Sequence, residues 1–233
     1  MTCVILSGEQ RYILDYVFNE CTSLVDITIP DSVISIGEGA FAGCTSLSDI
    51  TIPDSVTSID DYAFSGCTGL PGITIPDGVT SIGENVFGGC TSLSAIKVSA
   101  GNTAYASLDG VLFNFDMTEL VCYPNGKNDS AYEIPSGVTS IGRYAFRYCT
   151  SLTCITIPDG VTSIGKYAFY SCTSLTSIVI PESMASIGMY AFRGCTSLSD
   201  VYYAGSEDDW GRISISYYNT CLTSATIHYN YTG

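Results

Sequence analysis

The sequence predicts a solenoid, a fold in which short repeated turns of chain stack one on another. Two observations predict it: a 23-residue repeat of four residue types, and a strand-like alternation of apolar and polar residues inside each repeat. The 233 residues are 46% hydrophobic and only 13% charged. A chain of this composition can bury a core, which excludes wholesale disorder.

Cysteine marks the repeat most clearly, at intervals of 23 residues that are interrupted once by an interval of 59. A phenylalanine precedes each of these cysteines by three residues, a leucine follows by three, and in five copies a proline follows by nine. Chance alignment of four residue types over seven copies is negligible. The cysteines are Cys21, Cys44, Cys67, Cys90, Cys149, Cys172 and Cys195.

A single repeat cannot bury its own apolar residues. In the unit from Cys44 to Phe64, Ile50 and Ile52 alternate with polar neighbours, which predicts a strand with one buried face. Pro53 and Asp54 end the strand, and a second short extended run and a turn complete the unit. Stacked units bury these side chains against each other. Each buried large side chain stabilises the stack by about 1.5–3 kcal/mol.

The repeats predict one solenoid over residues 1–233. Regular repeats occupy residues 1–98 and 132–203, a modified turn with a hairpin occupies 99–131, and a C-terminal cap occupies 204–233. A turn is predicted at 107–110, and the hairpin is predicted to consist of strands at 111–114 and 120–124 around a longer loop at 115–118. In the cap, Ser206 has a carboxylate three residues later, which favours a capped helix, and Trp210 is expected to cover the end of the core.

The first residues already follow the repeat, and no signal peptide is recognisable among them. A stack that opens on a bare strand invites edge-to-edge pairing. This favours a chain preceded by more sequence, although a native Met1 with a short edge is the alternative.

The unit Cys-Thr-Ser-Leu-x-x-Ile-x-Ile-Pro-Asp-x-Val-x-Ser-Ile-Gly-x-x-Ala-Phe closely resembles the BspA-type leucine-rich repeat, from Val4 to about Tyr203. The insert at 109–113 with Tyr123 and Pro124 resembles that family's interrupted repeat, and the segments 202–210 and 225–230 resemble its C-terminal units. The resemblance implies a leucine-rich repeat right-handed solenoid, a β-rich α/β superhelix. A parallel sheet would lie on one face and short turns or helical turns on the other.

The same resemblance implies a protein of bacterial surface or secreted type that binds host or microbial proteins. A non-enzymatic protein is predicted from the residues, because no acid, base and nucleophile come together in the sequence. A formal charge of −15 argues against nucleic acid as a partner, and the absence of an apolar run of about 18 residues argues against membrane insertion. Residues 12–96 contain 11 acidic residues and no Lys or Arg. That half of the chain is predicted to be strongly negative, either for solubility or to attract a basic partner.

The side chains that could carry chemistry have simpler explanations. The cysteine column is predicted to be buried thiols, with disulfides and a metal site as the less favoured alternatives; Cys154 and Cys3 are the expected exposed thiols. His228, the only histidine, has no nucleophile motif beside it. One acidic residue after each proline is too few for a calcium site and suits a turn. No catalytic, cofactor-binding or metal-binding residue is predicted.

The outward side chains of the predicted strands form the candidate binding face. A polar ladder of this kind suits protein recognition, which repeat proteins commonly perform on such a surface. Two alternatives are ordinary solvated strand residues, with Thr favoured by β propensity, and an array that orders water. The function predicted is binding of a protein or other macromolecule; a structural spacer within a larger cell-surface protein is the alternative. The face residues are Asp26, Thr28, Asp49, Thr51, Thr74, Lys97, Cys154, Thr156, Ser177 and Tyr202.

Overall fold

A computed structural model describes residues 3–6 and 8–233, which divide into two compact units. The first unit comprises the described residues up to Asp116 together with Cys122–Lys127, and the second comprises Met117–Val121 and Asn128–Gly233. The prediction of one solenoid over residues 1–233 stays a prediction. Met1 and Thr2, where the predicted first repeat begins, lie outside the described residues.

The first unit is a stack of turns that each contribute one strand to a long-strand sheet and one to a short-strand sheet. Long strands pair in parallel with equal repeat positions opposite each other, as Ile27 and Ile50 are. The strands are β1 (Cys3–Ile5), β2 (Tyr12–Ile13), β3 (Asp26–Thr28), β4 (Ser35–Ile36), β5 (Asp49–Thr51), β6 (Ser58–Ile59), β7 (Gly72–Ile75), β8 (Ser81–Ile82), β9 (Ala95–Val98), β10 (Tyr105–Leu108) and β11 (Val111–Asn114). The long strands form two ladders in succession, β1-β3-β5 and β7-β9, and the short-strand sheet has the order β2-β4-β6-β8.

The second unit repeats this architecture. Its long-strand sheet has the order β13-β15-β17-β19-β21, and its short strands pair in parallel from β12 to β20. The elements are β12 (Glu119–Cys122), β13 (Ala131–Glu133), β14 (Ser140–Ile141), β15 (Cys154–Thr156), β16 (Ser163–Ile164), β17 (Ser177–Ile180), β18 (Ser186–Ile187), β19 (Asp200–Tyr203), α1 (Glu207–Trp210), β20 (Ser214–Ile215), α2 (Thr220–Thr223) and β21 (Thr226–His228). In the described part of the chain, no helix has the length and apolar character that crossing a membrane requires.

The core of each unit is made of columns of identical side chains, as the repeat predicts. Phe64 is fully buried, and its ring stacks on Phe41 with centroids 5.3 Å apart and on Phe87 with centroids 5.9 Å apart. In the second unit Phe169 stacks at 5.0 Å on both Phe146 and Phe192. Offset stacking of this kind adds to the free energy gained from burying the rings.

The turn before each cysteine is itself tied to the next turn. Main-chain N–H groups at Tyr62, Phe64 and Gly66 donate to carbonyls one repeat later, while the N–H groups between them bond locally. This alternation requires left-handed backbone at two positions per turn, and Tyr62 and Gly66 have φ of 59° and 74°. Glycine adopts this conformation freely, whereas other residues do so at a cost of about 1–2 kcal/mol.

The modified turn contains a tight hairpin. Strands β10 and β11 pair antiparallel around Asp109 and Gly110, whose φ values of 51° and 80° are both positive, as a type I′ turn requires. The predicted turn and the predicted strand at 111–114 are confirmed, and β12 corresponds to the second predicted strand. The tight hairpin nevertheless joins β10 to β11, whereas the predicted hairpin joined the strands at 111–114 and 120–124. Strand β10 was not predicted, because Tyr105–Leu108 lies outside the 23-residue period.

The end of the second unit has the predicted helix cap. The Ser206 hydroxyl accepts a hydrogen bond from the Asp209 N–H, the Asp209 carboxylate accepts one from the Ser206 N–H, and Trp210 lies edge-on to Tyr203. Asn219 also closes this end. Its side chain accepts a hydrogen bond from the Phe192 N–H and donates to the Gly188 carbonyl. The first of these replaces the bond that Phe146 and Phe169 each donate to a carbonyl of the following turn.

Candidate functional site on the exposed sheet

The outward positions of the long strands form straight columns within each unit. In the first unit Asp26 lies opposite Asp49 and Thr28 opposite Thr51, while Thr74 lies opposite Lys97. Alternation of side chains across a strand places these residues on the solvent face, and the isoleucines between them are buried. The predicted residues of this unit are all exposed: Asp26, Thr28, Asp49, Thr51, Thr74 and Lys97.

The corresponding columns of the second unit are less accessible. Cys154 lies opposite Ser177, and Thr156 lies opposite Val179, which in turn lies opposite Tyr202. Cys154, Thr156, Ser177 and Tyr202 are all half-buried. The ten predicted face residues therefore form two separate sets, one on each unit, and the fully exposed set belongs to the first.

Several members of these columns were missed in the sequence. Cys3 lies opposite Asp26, Glu133 lies opposite Thr156, and His228 lies opposite Tyr202. Glu133 follows the 23-residue spacing and was recognisable from it. His228 follows Tyr202 by 26 residues, so the period did not indicate its place in the column.

A break in the long-strand sheet lies at the centre of the exposed set. At equivalent positions of other turns, Ser48 and Ser94 each donate their N–H and hydroxyl to a carbonyl one repeat earlier. Pro71 occupies this position in the turn between them and has neither donor. Accordingly β5 and β7 belong to two separate ladders, β1-β3-β5 and β7-β9.

The break coincides with a surface groove of about 770 Å³. Asp49 and Thr51 line it from β5, Thr74 lines it from β7, and Lys97 lines it from β9. Asp31 and Asp54, the acidic residues after the prolines, contribute further carboxylates. The groove thus offers hydroxyl, carboxylate and ammonium groups to a ligand, and its lining residues include no histidine or cysteine.

His228 lies on the face of the second unit with a carboxylate partner. Its Nε2 is 2.7 Å from Asp200 Oδ1, and its ring stacks on Tyr202 with centroids 4.7 Å apart. The Ser199 hydroxyl donates to the other oxygen of Asp200 at 2.7 Å. The hydrogen bond from His228 is the main cause of a lowered pKa of Asp200. Because the serine bonds to the carboxylate and not to the imidazole, this arrangement lacks the order of a serine nucleophile and its base.

The cysteine column is buried as predicted, with one correction. Cys44, Cys67, Cys90, Cys149, Cys172 and Cys195 are buried, but Cys21, the first of the column, is exposed. The preceding turn contacts the thiols of the later members, as Phe18 does that of Cys44. Cys3 is exposed as predicted. Cys154, which was also expected to be exposed, is half-buried, because it lies between neighbouring strands of the sheet.

Among residues 3–6 and 8–233, all the cysteines are free, and no group of three or more His, Cys, Asp or Glu side chains is arranged to hold a metal ion.

The stacked parallel strands, with inward Leu, Ile and Phe at a fixed period, define a leucine-rich repeat solenoid. A family model described as "BspA type Leucine rich repeat region (6 copies)" matches residues 2–113 and 119–232. The chain belongs to this family, which confirms the resemblance found in the sequence. A comparison with curated proteins finds no match.

Solved bacterial leucine-rich repeat structures are similar to this chain. One from Eubacterium ventriosum is 30% identical with a TM-score of 0.76, over 89% of this chain and 61% of its own. The pneumococcal vaccine antigen PcpA is 25% identical with a TM-score of 0.78, over 97% of this chain and 61% of its own. A leucine-rich cell surface protein from Faecalibacterium prausnitzii is 29% identical with a TM-score of 0.55, over 92% of this chain and 76% of its own. The present chain therefore spans 61% of the length of the first two proteins.

Proposed function

We propose that the protein is a non-enzymatic binding module that holds another protein or macromolecule on its exposed long-strand sheet. The observation that carries this proposal is the groove at the break between β5 and β7, which lies within the most exposed part of the predicted face. Proteins bind extended surfaces of repeat folds by contacts with successive turns.

The chemistry of the groove favours a polar ligand. Thr51 and Thr74 present hydroxyl groups that both donate and accept hydrogen bonds, and Lys97 adds a positive charge beside the carboxylate of Asp49. Within each ladder, neighbouring turns present their outward groups at about 4.8 Å intervals, so an extended chain lying across the strands would meet the groups of one ladder in succession. The same face on the second unit supplies Thr156, Ser177 and Tyr202.

The proposed location of the protein is extracellular or on the bacterial cell surface. This is supported by family membership and by the descriptions of two similar structures, one a cell surface protein and the other a vaccine antigen. The alternative function, a structural spacer within a larger surface protein, is supported by the regular ladders and by the partial coverage of those structures.

Charge substitution on the face tests the proposal. The variant carrying Thr51→Lys, Thr74→Lys and Thr156→Lys adds long charged side chains to the face without touching the core. The control variant makes the same charge change at exposed residues of the turns. It carries Thr45→Lys, Thr91→Lys and Thr150→Lys. The probe is a suspension of cultured epithelial cells, and the fluorescently labelled protein bound to the cells is measured by flow cytometry.

We expect the face variant to lose about tenfold in affinity, equivalent to about 1.4 kcal/mol, while the control binds as the wild type does. Equal binding by the two variants would reject the exposed sheet as the binding surface. If the wild type binds neither these cells nor bacterial cells tested in parallel, the result would favour the alternative function of a structural spacer.

A further inference from the structure

Four tyrosines of the second unit stack ring on ring in the turns that follow its short strands. Tyr167 lies between Tyr144 and Tyr190, with both ring centroids 5.0 Å away, and Tyr190 stacks on Tyr218 at 4.4 Å. The rings are parallel within 11°. Tyr144, Tyr167 and Tyr190 are half-buried and Tyr218 is exposed, so this tyrosine ladder is part of the protein surface.

Cationic side chains lie over the rings of this ladder and beside it. Lys166 Nζ is 4.9 Å from the centroid of the Tyr167 ring, and the Arg193 guanidinium carbon is 5.3 Å from that of Tyr190. Arg147 lies 4.5 Å from the neighbouring ring of Tyr148. In the described part of the chain neither Lys166 nor Arg193 forms an ion pair. The ring faces hold these cations in place while their charges remain available to an anionic partner.

The first unit carries the opposite charge at the same place in the repeat. In each turn, one residue directly precedes the first position with left-handed backbone. In two turns of the second unit this residue is a cation, Arg143 or Lys166. In the first unit this residue is always acidic, and no Lys or Arg lies between residues 12 and 96 to offset it. This acidic column consists of Asp15, Glu38, Asp61 and Glu84.

The acidic column is under mutual repulsion. Asp60 lies directly beside it, and its pKa is raised first by burial and then by the negative charges of Asp15, Asp61 and Glu38. A cationic partner placed against this surface would relieve the repulsion, because opposite charges favour the ionised carboxylates.

We propose that the tyrosine ladder of one copy of the protein docks on the acidic column of a second copy. The two surfaces have opposite charge, and the turns that carry them advance along parallel ladders of the same spacing. Each turn from Tyr144 to Tyr190 contributes at least one cation, although Lys166 precedes its tyrosine by one residue and Arg193 follows its own by three. Successive cations of one copy can therefore face successive carboxylates of the other. Tyrosine and arginine are the residues that protein interfaces favour, and the ring edges supply apolar area around the charges.

Sedimentation velocity of the whole chain tests this proposal. The wild type is expected to associate as its concentration rises, and to do so about tenfold more weakly when NaCl is raised from about 50 mM to about 500 mM, because salt screens exposed charges. The variant Lys166→Glu with Arg193→Glu, and the variant Glu38→Lys with Asp60→Lys, should each lose at least about tenfold in affinity when alone. When the two variants are mixed they should associate again, since the Lys166→Glu, Arg193→Glu variant still carries the acidic column and the Glu38→Lys, Asp60→Lys variant still carries the tyrosine ladder with its cations.

The control is Arg212→Glu with Lys127→Glu, which makes the same charge change away from the ladder and the exposed sheet and should leave association unchanged. Thermal melts verify that every variant is folded. A wild type that sediments as a monomer throughout, or self-association that both ladder and column variants retain, would overturn the proposal. Failure of the mixed variants to associate would also overturn the proposal. None of these outcomes bears on binding at the exposed sheet.

Discussion

The thiol of Cys67 donates a hydrogen bond to the main-chain carbonyl of Phe41, 26 residues earlier, at 3.1 Å. The same contact links Cys44 to Phe18 and Cys90 to Phe64 in the first unit, and two further pairs in the second. Each thiol therefore points to the preceding turn. Burial raises the pKa of Cys44 to about 11 and that of Cys90 to about 12, so these thiols are protonated donors at neutral pH.

The phenylalanine column is predicted to contribute much of the stability. Phe64→Ala should lower the free energy of unfolding by about 3–5 kcal/mol, because it opens a cavity between Phe41 and Phe87. Urea unfolding followed by circular dichroism measures this. Phe115→Ala is the matched control, since Phe115 is 54% exposed and should change stability by less than about 0.5 kcal/mol. A cost below about 1 kcal/mol at Phe64 would mean that this column does not support the stack.

Asn219 is predicted to be important for the end of the second unit. Asn219→Ala leaves the buried Phe192 N–H without its acceptor and removes the donor to Gly188, which should cost about 2–4 kcal/mol. The same unfolding measurement applies, and Asn19→Ala, at an exposed asparagine, is the comparison. Equal stability of the two variants would show that the Asn219 side chain does not substitute for a further turn.

Ser171→Gly is predicted to stabilise the protein. Ser171 has φ of 58°, and Gly43, Gly66, Gly89 and Gly194 occupy the equivalent position of other turns with φ of 72° to 81°. Glycine removes the left-handed strain but loses more entropy on folding, so the expected net gain is about 0.5–1 kcal/mol. Ser174→Gly, where φ is not positive, should destabilise by a similar amount. A loss of stability in both variants would contradict this interpretation of the turn.

Acid is predicted to weaken the contact between Asp200 and His228. The hydrogen bond from His228 lowers the folded-state pKa of Asp200, so its contribution to stability is present above the carboxylate's ordinary pKa and is lost as the pH falls through the lowered value. The stability difference between the wild type and Asp200→Asn should therefore be constant above about pH 5 and shrink as the pH falls below the ordinary aspartate pKa of about 4. Asp26→Asn, at an exposed aspartate in the first unit, serves as the control. A difference that stays constant over this range would rule out the linkage.

The 23-residue period of the sequence predicted the fold well because successive turns of the structure repeat at the same interval. It placed Phe64 and Cys67 in buried columns and Thr51 and Thr74 on the exposed face, since residues at the same position of each repeat have similar surroundings. It could not place His228 or Asn219, which act at the end where the period stops. Pro71 stands in the sequence where the adjacent turns have Ser48 and Ser94, but the effect of the proline depends on the hydrogen-bond donors that those two serines supply.

The stacking of identical positions is tested most directly by thiol labelling of the native protein, resolved residue by residue with mass spectrometry. Cys3 and Cys21 should react rapidly with iodoacetamide, while Cys67, Cys90, Cys172 and Cys195 should react only after denaturation, because burial raises the pKa of Cys67, Cys90 and Cys172 and adjacent turns cover all four. Labelling of the four column thiols at the rate of Cys21 in the folded protein would contradict the stack.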